Sequence, residues 1–562
     1  MLRDAQGHTL SMTRLQHFWF LLLATFTFSC FCWADGDPQA AAIPRIAVDS
    51  GTLEGAHFGP SSDEVMFLGV PFAAPPTGER RWKAPMPVEK WSGARSATKF
   101  APSCMQTSSG WWPEMAGRAQ YETSEDCLYL NVWTTNLSTG KSQPVMVWIH
   151  GGGNVEGSSQ TPPLGPTLAR KGVVVVSIEY RLGVFGFLAL AALSSESPTH
   201  TSGNYGLLDQ VAALRWIQSN IAAFGGYPRQ VTIFGQSSGS EDVCHLLASP
   251  VASGLFQRAI LESGVATDSL YSDVRKPQNY YHNHGPGEEL GKRLTKELEI
   301  EDSITALSAL RALPAERLLQ VAHDMKQADF GVVIDGWIVP HQPMVTFSRK
   351  EQARVPIMVG SNANETTVFG KESPLATENS WPKTVAQYRE WLADEFREFA
   401  DDVWKVYPAS SDEDAGRVFN RMLTDYEYGF GSYRVANAMA EIREPVYRYY
   451  FSYEGRGVFA ALGAFHAEEL MFIADSYWKS WTPNTDDKRL SEIMTGYWTE
   501  FAKTGNPNGV GRPEWPAYKA KEALSMNLGN HVHPITEPNS AAYLLFERIL
   551  RARLAETVPD KP

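Results

Sequence analysis

Val231-Thr-Ile-Phe-Gly-Gln-Ser-Ser-Gly239 joins a short apolar run to a G-x-S-x-G sequence, and a second apolar run follows at 240–247. The first run is typical of a buried strand and the second of a helix. A serine on so sharp a strand-to-helix turn is held in strained backbone geometry, and the flanking glycines remove side chains that would collide there. The turn would also aim the free N–H groups of the helix N-terminus at developing negative charge. These flanks, more than the short pattern itself, identify Ser237 as a candidate nucleophile.

A glycine loop lies upstream, at His150-Gly-Gly-Gly153, directly after the strand-like run 144–149. A tetrahedral intermediate needs several backbone N–H donors that converge on one oxygen, and glycines let the chain approach closely enough to supply them. The alternative is a flexible glycine-rich loop without chemistry. Since both elements follow predicted strands, we favour an oxyanion-binding loop.

Strands and helices alternate over the first half of the chain. Compact apolar runs predict strands, and helical periodicity predicts helices. The predicted strands are 46–53, 65–70, 128–133, 144–149, 173–178, 231–234 and 355–359, and the predicted helices are 206–223 and 240–247. Such alternation is typical of an α/β fold with a mostly parallel sheet covered on both faces. The polar, helix-rich regions 277–339 and 377–443 are interpreted as insertions near a pocket.

The net charge of the chain limits the kinds of partner that it is expected to bind. The 562 residues carry a formal charge of −13. Removal of residues 1–34, which hold Arg3, Arg14 and Asp4, would leave −14. This balance argues against binding to nucleic acids or to anionic membranes.

The N-terminus is typical of an export signal. Two arginines precede the apolar stretch 18–29, which is too short to span a bilayer. Small residues at the −3 and −1 positions predict cleavage after Ala34, so that 35–562 would be the mature domain, secreted or periplasmic. A lipid anchor at Cys30 is the alternative, although the residues before it match a lipobox poorly. We predict no membrane span in the mature chain, since no later segment has 18 uninterrupted apolar residues.

Three cysteines would remain after cleavage. Cys104 and Cys127 flank a polar loop that contains tryptophans, and they are the natural disulfide pair of an exported chain. Cys244 lies in an apolar helical run. We interpret it as a buried free thiol rather than as a nucleophile.

From residue 52 to residue 518 the chain resembles the type-B carboxylesterase and cholinesterase family. The resemblance rests on motifs that occur in the family's order. They are Gly69-Val-Pro-Phe-Ala73 with Pro75-Pro76, Ser124-Glu-Asp-Cys-Leu-Tyr-Leu-Asn131, Gly203-Asn-Tyr-Gly-Leu-Leu-Asp-Gln210, and a closing pattern over 497–509. The resemblance implies an α/β-hydrolase fold with helical insertions over the active site.

The resemblance also assigns partners to Ser237 that spacing alone does not identify. It places the acid on Glu365, within Gly360-Ser-Asn-Ala-Asn-Glu365, and the base on His466, within Gly463-Ala-Phe-His466. It implies oxyanion donors, a disulfide, ion pairs and a serine near the acid and base. These are Gly152, Gly153 and Ser238 for the oxyanion, Cys104–Cys127 for the disulfide, Arg81 with Glu125 and Arg181 with Asp209 for the ion pairs, and Ser263.

Two residues depart from the family pattern. Gln236 stands where most relatives carry Glu, and Ser238 stands where they carry Ala. We expect Ser238 to change little, because the oxyanion donor is its backbone. Gln236 removes a negative charge beside the nucleophile. Moreover, no tryptophan matches the choline-binding position, although Trp111 and Trp112 lie in the Cys104–Cys127 loop. Cholinesterase activity is therefore disfavoured.

The resulting hypothesis is a serine carboxylesterase for a small-molecule ester, with no cofactor and no metal. Alternatives are a related lipase, thioesterase or amidase, and a catalytically silent binding protein of the same family. The H-x-H pairs His282-Asn-His284 and His531-Val-His533 are weak metal candidates, since no ligand cluster surrounds them in sequence. The sequence does not indicate the physiological ester or the oligomeric state. We expect the pocket walls to come from regions 277–345 and 377–443.

Overall fold

The apolar runs form one large sheet in the computed structural model, which describes residues 42–107, 121–137, 142–267, 271–275, 287–300, 306–325, 330–369 and 381–557. Within these ranges the sheet has eleven strands. They are β1 (Ala56–His57), β2 (Val65–Pro71), β3 (Tyr129–Thr134), β4 (Gln143–Ile149), β5 (Val174–Ile178), β6 (Gly226–Gln236), β7 (Arg258–Glu262), β8 (Ile357–Asn362), β9 (Val446–Phe451), β10 (Leu524–Leu528) and β11 (His533–Thr536).

The strand order is β11-β10-β9-β8-β7-β6-β4-β5-β3-β2-β1. All pairs from β10 to β5 are parallel, and the strands outside them pair antiparallel. The mostly parallel sheet and the α/β-hydrolase fold are thereby confirmed. Four consecutive strands of the sheet, β8, β7, β6 and β4, are parallel. The loops after their carboxyl ends therefore lie along one edge of the sheet.

Helices cover the sheet and fill the predicted insertions. The α-helices are α1 (Leu164–Ala169), α2 (Gly183–Phe187), α3 (Ala191–Glu196), α4 (Tyr205–Asn220), α5 (Ser238–Ala248), α6 (Gly287–Glu297), α7 (Ala306–Ala312), α8 (Ala315–Asp324), α9 (Pro343–Ser348), α10 (Val385–Phe396), α11 (Ala400–Val406), α12 (Asp412–Thr424), α13 (Phe430–Glu441), α14 (Glu469–Ala474), α15 (Thr485–Thr504) and α16 (Ser540–Thr557). Short 3₁₀ turns span Gly78–Arg80, Ile221–Phe224, Pro250–Ala252, Glu365–Phe369, Arg397–Phe399 and Gly457–Leu462, and a π-helical turn spans Asp425–Gly429.

The core lies on both faces of the sheet. Along β4, Val145, Val147 and Ile149 belong to one buried cluster. The alternate residues Met146 and Trp148 belong to a second cluster. Successive side chains of a strand point to opposite faces, so both faces of this central strand are covered. Burial of each such side chain contributes roughly 1.5–3 kcal/mol, and the strand ends are therefore firmly held.

One strand prediction was wrong. The run 46–53 folds as two antiparallel strands, Arg45–Val48 and Gly51–Glu54. Gly51 has φ of 152°, and the Trp91 indole lies 2.5 Å from the position of a β-carbon at this residue. The chain turns at Asp49 and Ser50, and at Gly51, the first residue after the turn, only glycine fits that backbone conformation beside the ring. Together with Ala94–Ser96 these strands form a separate small sheet.

Covalent and ionic contacts fix the loops around the sheet. Cys104 and Cys127 are joined by a disulfide, and Cys244 is a buried thiol outside this bond, as predicted. Arg81 forms two hydrogen bonds with Glu125, each 2.6 Å long. The buried Arg181 pairs in the same way with Asp209, at 2.7 Å.

The predicted export signal, its cleavage site and Cys30 lie outside the described residues, as do Trp111, Trp112, His282 and His284. Within the part of the chain that the structure describes, every helix is too short or too polar to cross a bilayer.

Candidate active site

Ser237 lies on the turn between β6 and α5, with φ of 56° and ψ of −132°. This is a strained conformation for a residue with a side chain. A β-carbon on Gly235 would lie 2.4 Å from the Gly239 carbonyl oxygen. A β-carbon on Gly239 would lie 2.3 Å from the Ile149 carbonyl oxygen. Both glycines are therefore required by the close approach of β4, β6 and α5, as the sequence pattern indicated.

The glycine loop after β4 packs directly against this turn. A β-carbon on Gly151 would lie 2.5 Å from the Gln236 carbonyl oxygen and 3.0 Å from Ser237 Cβ. Gly152 and Gly153 have φ of 118° and 63°, which glycine adopts readily. No described hydrogen bond uses the N–H group of Gly152 or Gly153 as donor within the ranges that the structure covers.

Ser238 is the first residue of α5, so its N–H group belongs to the first helical turn, where such groups have no partner within the helix. Its hydroxyl also has a role that the sequence reasoning missed. Ser238 Oγ accepts a hydrogen bond of 3.1 Å from the Asn154 N–H group, at the end of the glycine loop. Asn154 in turn donates to Asp242 of α5 over 3.1 Å. The helix and the loop are thus linked by side chains as well as by close packing.

Glu365 and His466 come together in the structure. His466 Nδ1 lies 2.7 Å from Glu365 Oε2, and the other carboxylate oxygen accepts a hydrogen bond of 2.6 Å from the Asn362 N–H group. Both side chains are buried. A carboxylate in this position fixes the proton of a neutral imidazole on Nδ1, which leaves Nε2 free to act as a base.

Asn364 connects the loop of the acid to the loop of the base. Its side-chain oxygen accepts a hydrogen bond of 3.1 Å from the Ala464 N–H group. Its own N–H group donates to the Ala464 carbonyl oxygen over 2.9 Å. Gly463, with φ of 62°, lies so close that a β-carbon there would be 2.3 Å from the same Asn364 oxygen. These contacts hold the two loops together.

Buried carboxyl groups lie behind the acid. Burial raises the pKa of Glu262 to about 8, although the Trp498 indole donates to it over 2.6 Å. Burial and the neighbouring carboxyls of Glu365 and Glu262 raise the pKa of Glu469 well above its ordinary value. Both shifts favour the neutral forms of Glu262 and Glu469, which lowers the negative charge beside Glu365.

Four of the candidate residues, Gly152, Gly153, Ser237 and His466, line a cavity of about 370 Å³. A volume of this size suits a small organic ligand. The described lining combines the glycine loop, apolar and aromatic side chains, and a few polar groups. It includes Gln106, Tyr121, Thr123, Trp148, Gly151, Gly152, Gly153, Val155, Glu156, Pro162, Gln236, Ser237, Phe369, His466 and Leu470.

The described part of the cavity wall differs from the expected one. It comes from the two ends of the Cys104–Cys127 loop, from the glycine loop and the residues after it, from the Ser237 turn and from the segments around Phe369 and His466, and none of it belongs to 277–345 or 377–443. The second insertion contacts the base through Tyr428, whose ring centre lies 5.0 Å from that of His466, and Thr424 of the same insertion accepts a hydrogen bond from Thr366 beside the acid. The second insertion thus contacts the base and the segment of the acid without lining the described cavity.

The contact of His466 Nε2 was not anticipated from sequence. This nitrogen lies 3.1 Å from Gln236 Nε2, and both side chains are buried. Gln236 directly precedes Ser237 in the sequence. Its contact with His466 therefore links the base to the turn that carries the nucleophile. Ser263 is also buried, directly after β7, and its N–H group donates to the Gly360 carbonyl oxygen over 2.9 Å. No described hydrogen bond connects Ser263 to Glu365 or His466 within the residues covered.

Metal binding finds no further support. In the described ranges no three side chains of His, Cys, Asp or Glu gather in an arrangement that could hold a metal ion. His531 and His533 are both exposed, and His533 Nδ1 contacts the His531 carbonyl oxygen at 3.1 Å.

Residues 42–544 match the profile of the family described as "Carboxylesterase family". The chain is 34% identical to a fumonisin B1 esterase of Sphingopyxis macrogoltabida, over 88% of this chain and 89% of that protein. It is also 34% identical to liver carboxylesterase 1 of Oryctolagus cuniculus, over 90% and 92% of the two chains. Among solved structures, a PNB esterase aligns with a TM-score of 0.76 at 29% identity, over 90% of this chain and 99% of that one. The carboxylesterase EST55 of Geobacillus stearothermophilus aligns with a TM-score of 0.74 at 31% identity, over 89% and 99%.

Proposed function

Because the chain belongs to the carboxylesterase family, we propose that this carboxylic ester hydrolase works through a Ser237–His466–Glu365 triad and an acyl-enzyme intermediate. The observation that carries the proposal is the contact of 2.7 Å between His466 Nδ1 and Glu365 Oε2, because His466 lines the same cavity as Ser237. Ser237, His466 and Glu365 have the chemistry of nucleophile, base and orienting acid, and the contact between His466 and Glu365 supports the last two roles.

In the first half of the reaction, His466 Nε2 takes the hydroxyl proton of Ser237 while Oγ attacks the ester carbonyl carbon. The carbonyl oxygen becomes an oxyanion, which the N–H groups of Gly152, Gly153 and Ser238 stabilise. Glu365 stabilises the imidazolium that forms. The tetrahedral intermediate then collapses. The bond to the alcohol oxygen breaks, and His466 returns its proton to that oxygen.

In the second half, water replaces the alcohol. His466 removes a proton from the water, whose oxygen attacks the acyl carbon on Ser237 Oγ. The second tetrahedral intermediate releases the carboxylic acid, and the Ser237 hydroxyl regains its proton from His466. The cycle uses only protein groups and water.

Export of residues 35–562 after cleavage behind Ala34 is part of the proposal. Support comes from the charged and apolar pattern of the first 34 residues and from the Cys104–Cys127 disulfide. Disulfides form and persist mainly in oxidising compartments. Mass measurement of the protein recovered from the medium or periplasm would identify its first residue.

Replacement of the nucleophile tests the function directly. Ser237→Ala should reduce hydrolysis of 4-nitrophenyl acetate to the uncatalysed background, with an unchanged melting temperature. Turnover near the wild-type rate would refute the assignment. Matched 4-nitrophenyl esters of increasing chain length, an anilide and a thioester would separate the esterase from a lipase, an amidase or a thioesterase.

A further inference from the structure

Gln236 contacts the catalytic base at the nitrogen that must accept a proton. Its side-chain Nε2 lies 3.1 Å from His466 Nε2, and only 4% of the Gln236 surface is exposed. On the other side, its amide oxygen lies 3.3 Å from the position of a β-carbon on Gly151. The amide thus spans the gap between the base and the glycine loop.

The direction of the hydrogen bond follows from the partner of the opposite ring nitrogen. His466 Nδ1 faces the Glu365 carboxylate, so in a neutral ring Nδ1 carries the proton and Nε2 carries the lone pair. A glutamine amide nitrogen can only donate. The contact is therefore an N–H group of Gln236 that donates to the neutral imidazole. A hydrogen bond of this kind disfavours the protonated ring.

The surroundings of His466 include few charges that compete with this effect. Glu365 contacts the ring, whereas Glu262 behind it and the neighbouring Glu468 and Glu469 have pKa values raised by burial. From the other elements, the rings of Phe369 and Tyr428 approach the imidazole to 5.5 and 5.0 Å between centres. In this setting, replacement of the neutral amide at position 236 by a charged group would act directly on the protonation of the base.

We propose that Gln236 is a positioning residue: its N–H group orients the His466 ring in the free enzyme through the lone pair of Nε2, and it gives up that contact when Ser237 donates to the same nitrogen. The proposal rests on the triad proposed above. Once Nε2 has taken the proton of Ser237, the Gln236 N–H group can no longer donate to it. The interaction therefore acts on the resting enzyme and should be visible in kcat/KM.

The test compares the pH dependence of kcat/KM for 4-nitrophenyl acetate, a neutral ester, in wild type and two variants. Gln236→Glu places a carboxylate beside the ring, which favours its charged form. We expect the acidic limb of the profile to move up by about one pH unit. Gln236→Met keeps the length of the side chain but removes the donor, and the limb should move up by roughly half a unit.

Gln387→Glu serves as the matched control for charge. Gln387 is exposed on α10, where its side-chain oxygen accepts from the Lys383 N–H group, as a carboxylate also would. Its profile should coincide with that of wild type. Superimposable acidic limbs for wild type, Gln236→Glu and Gln236→Met would overturn the inference, as would a downward shift. A wild-type chain that neither hydrolyses the ester nor reacts with a fluorophosphonate would instead refute the proposed function itself.

Discussion

The two halves of the candidate site are held by different forces. On one side, the Ser237 turn and the glycine loop are fixed by backbones that approach so closely that β-carbons on Gly151, Gly235 and Gly239 would overlap carbonyl oxygens. On the other side, the loops of Glu365 and His466 are fixed by side-chain hydrogen bonds and buried carboxyl groups. Close backbone packing leaves a glycine signature in the sequence, whereas side-chain networks leave almost none.

The largest expected effect lies in the half held by side chains. His466→Gln removes the base and should lower kcat by at least about 10⁴-fold. The backbone half should be unaffected, so the melting temperature should stay close to that of wild type. His533→Gln is the control, because His533 is exposed on β11. A loss of less than tenfold in His466→Gln would show that another group acts as the base.

The next largest effect tests the backbone half. Gly151→Ala places a methyl group 2.5 Å from the Gln236 carbonyl oxygen and 3.0 Å from Ser237 Cβ. The loop must shift, and displacement of a catalytic group by about 1 Å lowers rates by about 10²-fold. Steady-state kinetics on 4-nitrophenyl acetate would measure this loss.

Gly416→Ala is the matched control for that substitution. Gly416 lies within α12, and the nearest atom to a new β-carbon there is 3.7 Å away. Alanine should leave activity unchanged and stabilise the helix by up to about 1 kcal/mol. If Gly151→Ala retained activity within twofold of wild type, close packing would not position the loop.

The smallest effect concerns the carboxyl groups behind the base, and it depends on pH. Glu262 has a pKa of about 8 in the folded chain, far above the value of about 4.3 expected when unfolded. The folded state keeps a proton that the unfolded state loses between these values, so this group lowers stability as pH rises from about 4.3 to about 8. Glu262→Gln removes that titration, and its oxygen can still accept from the Trp498 indole.

Urea unfolding at pH 5 and pH 8 would measure this dependence. The free energy of unfolding of Glu262→Gln minus that of wild type should increase from pH 5 to pH 8. An equal difference at both values would contradict a neutral Glu262 in the folded chain.

Sequence reasoning succeeded where local chain geometry sets the structure. The β-branched runs predicted the central strands, and the G-x-S-x-G and glycine-loop patterns predicted the turns of Ser237 and Gly151 in their structural setting. It failed at 46–53, where the apolar residues on both sides of the Asp49-Ser50 turn were assigned to one strand, and in the origin of the described cavity wall.

The spacing of residues in the sequence could not identify the acid and the base in the other half of the site. Glu365 and His466 were identified by resemblance, because a loop acid and a loop histidine look like many others in a sequence with 13 histidines. The contacts of Gln236 with His466 and of Ser238 with Asn154 join residues that are 230 and 84 positions apart. They arise only when the sheet brings its loops together.

Reaction with a fluorophosphonate, followed by mass spectrometry of the labelled peptide, tests the central claim most directly. The probe reacts covalently only with an activated serine. We predict one adduct per chain, on Ser237, with none in Ser237→Ala and much slower labelling in His466→Gln. An unlabelled wild-type chain, or an adduct on a different serine, would contradict the account.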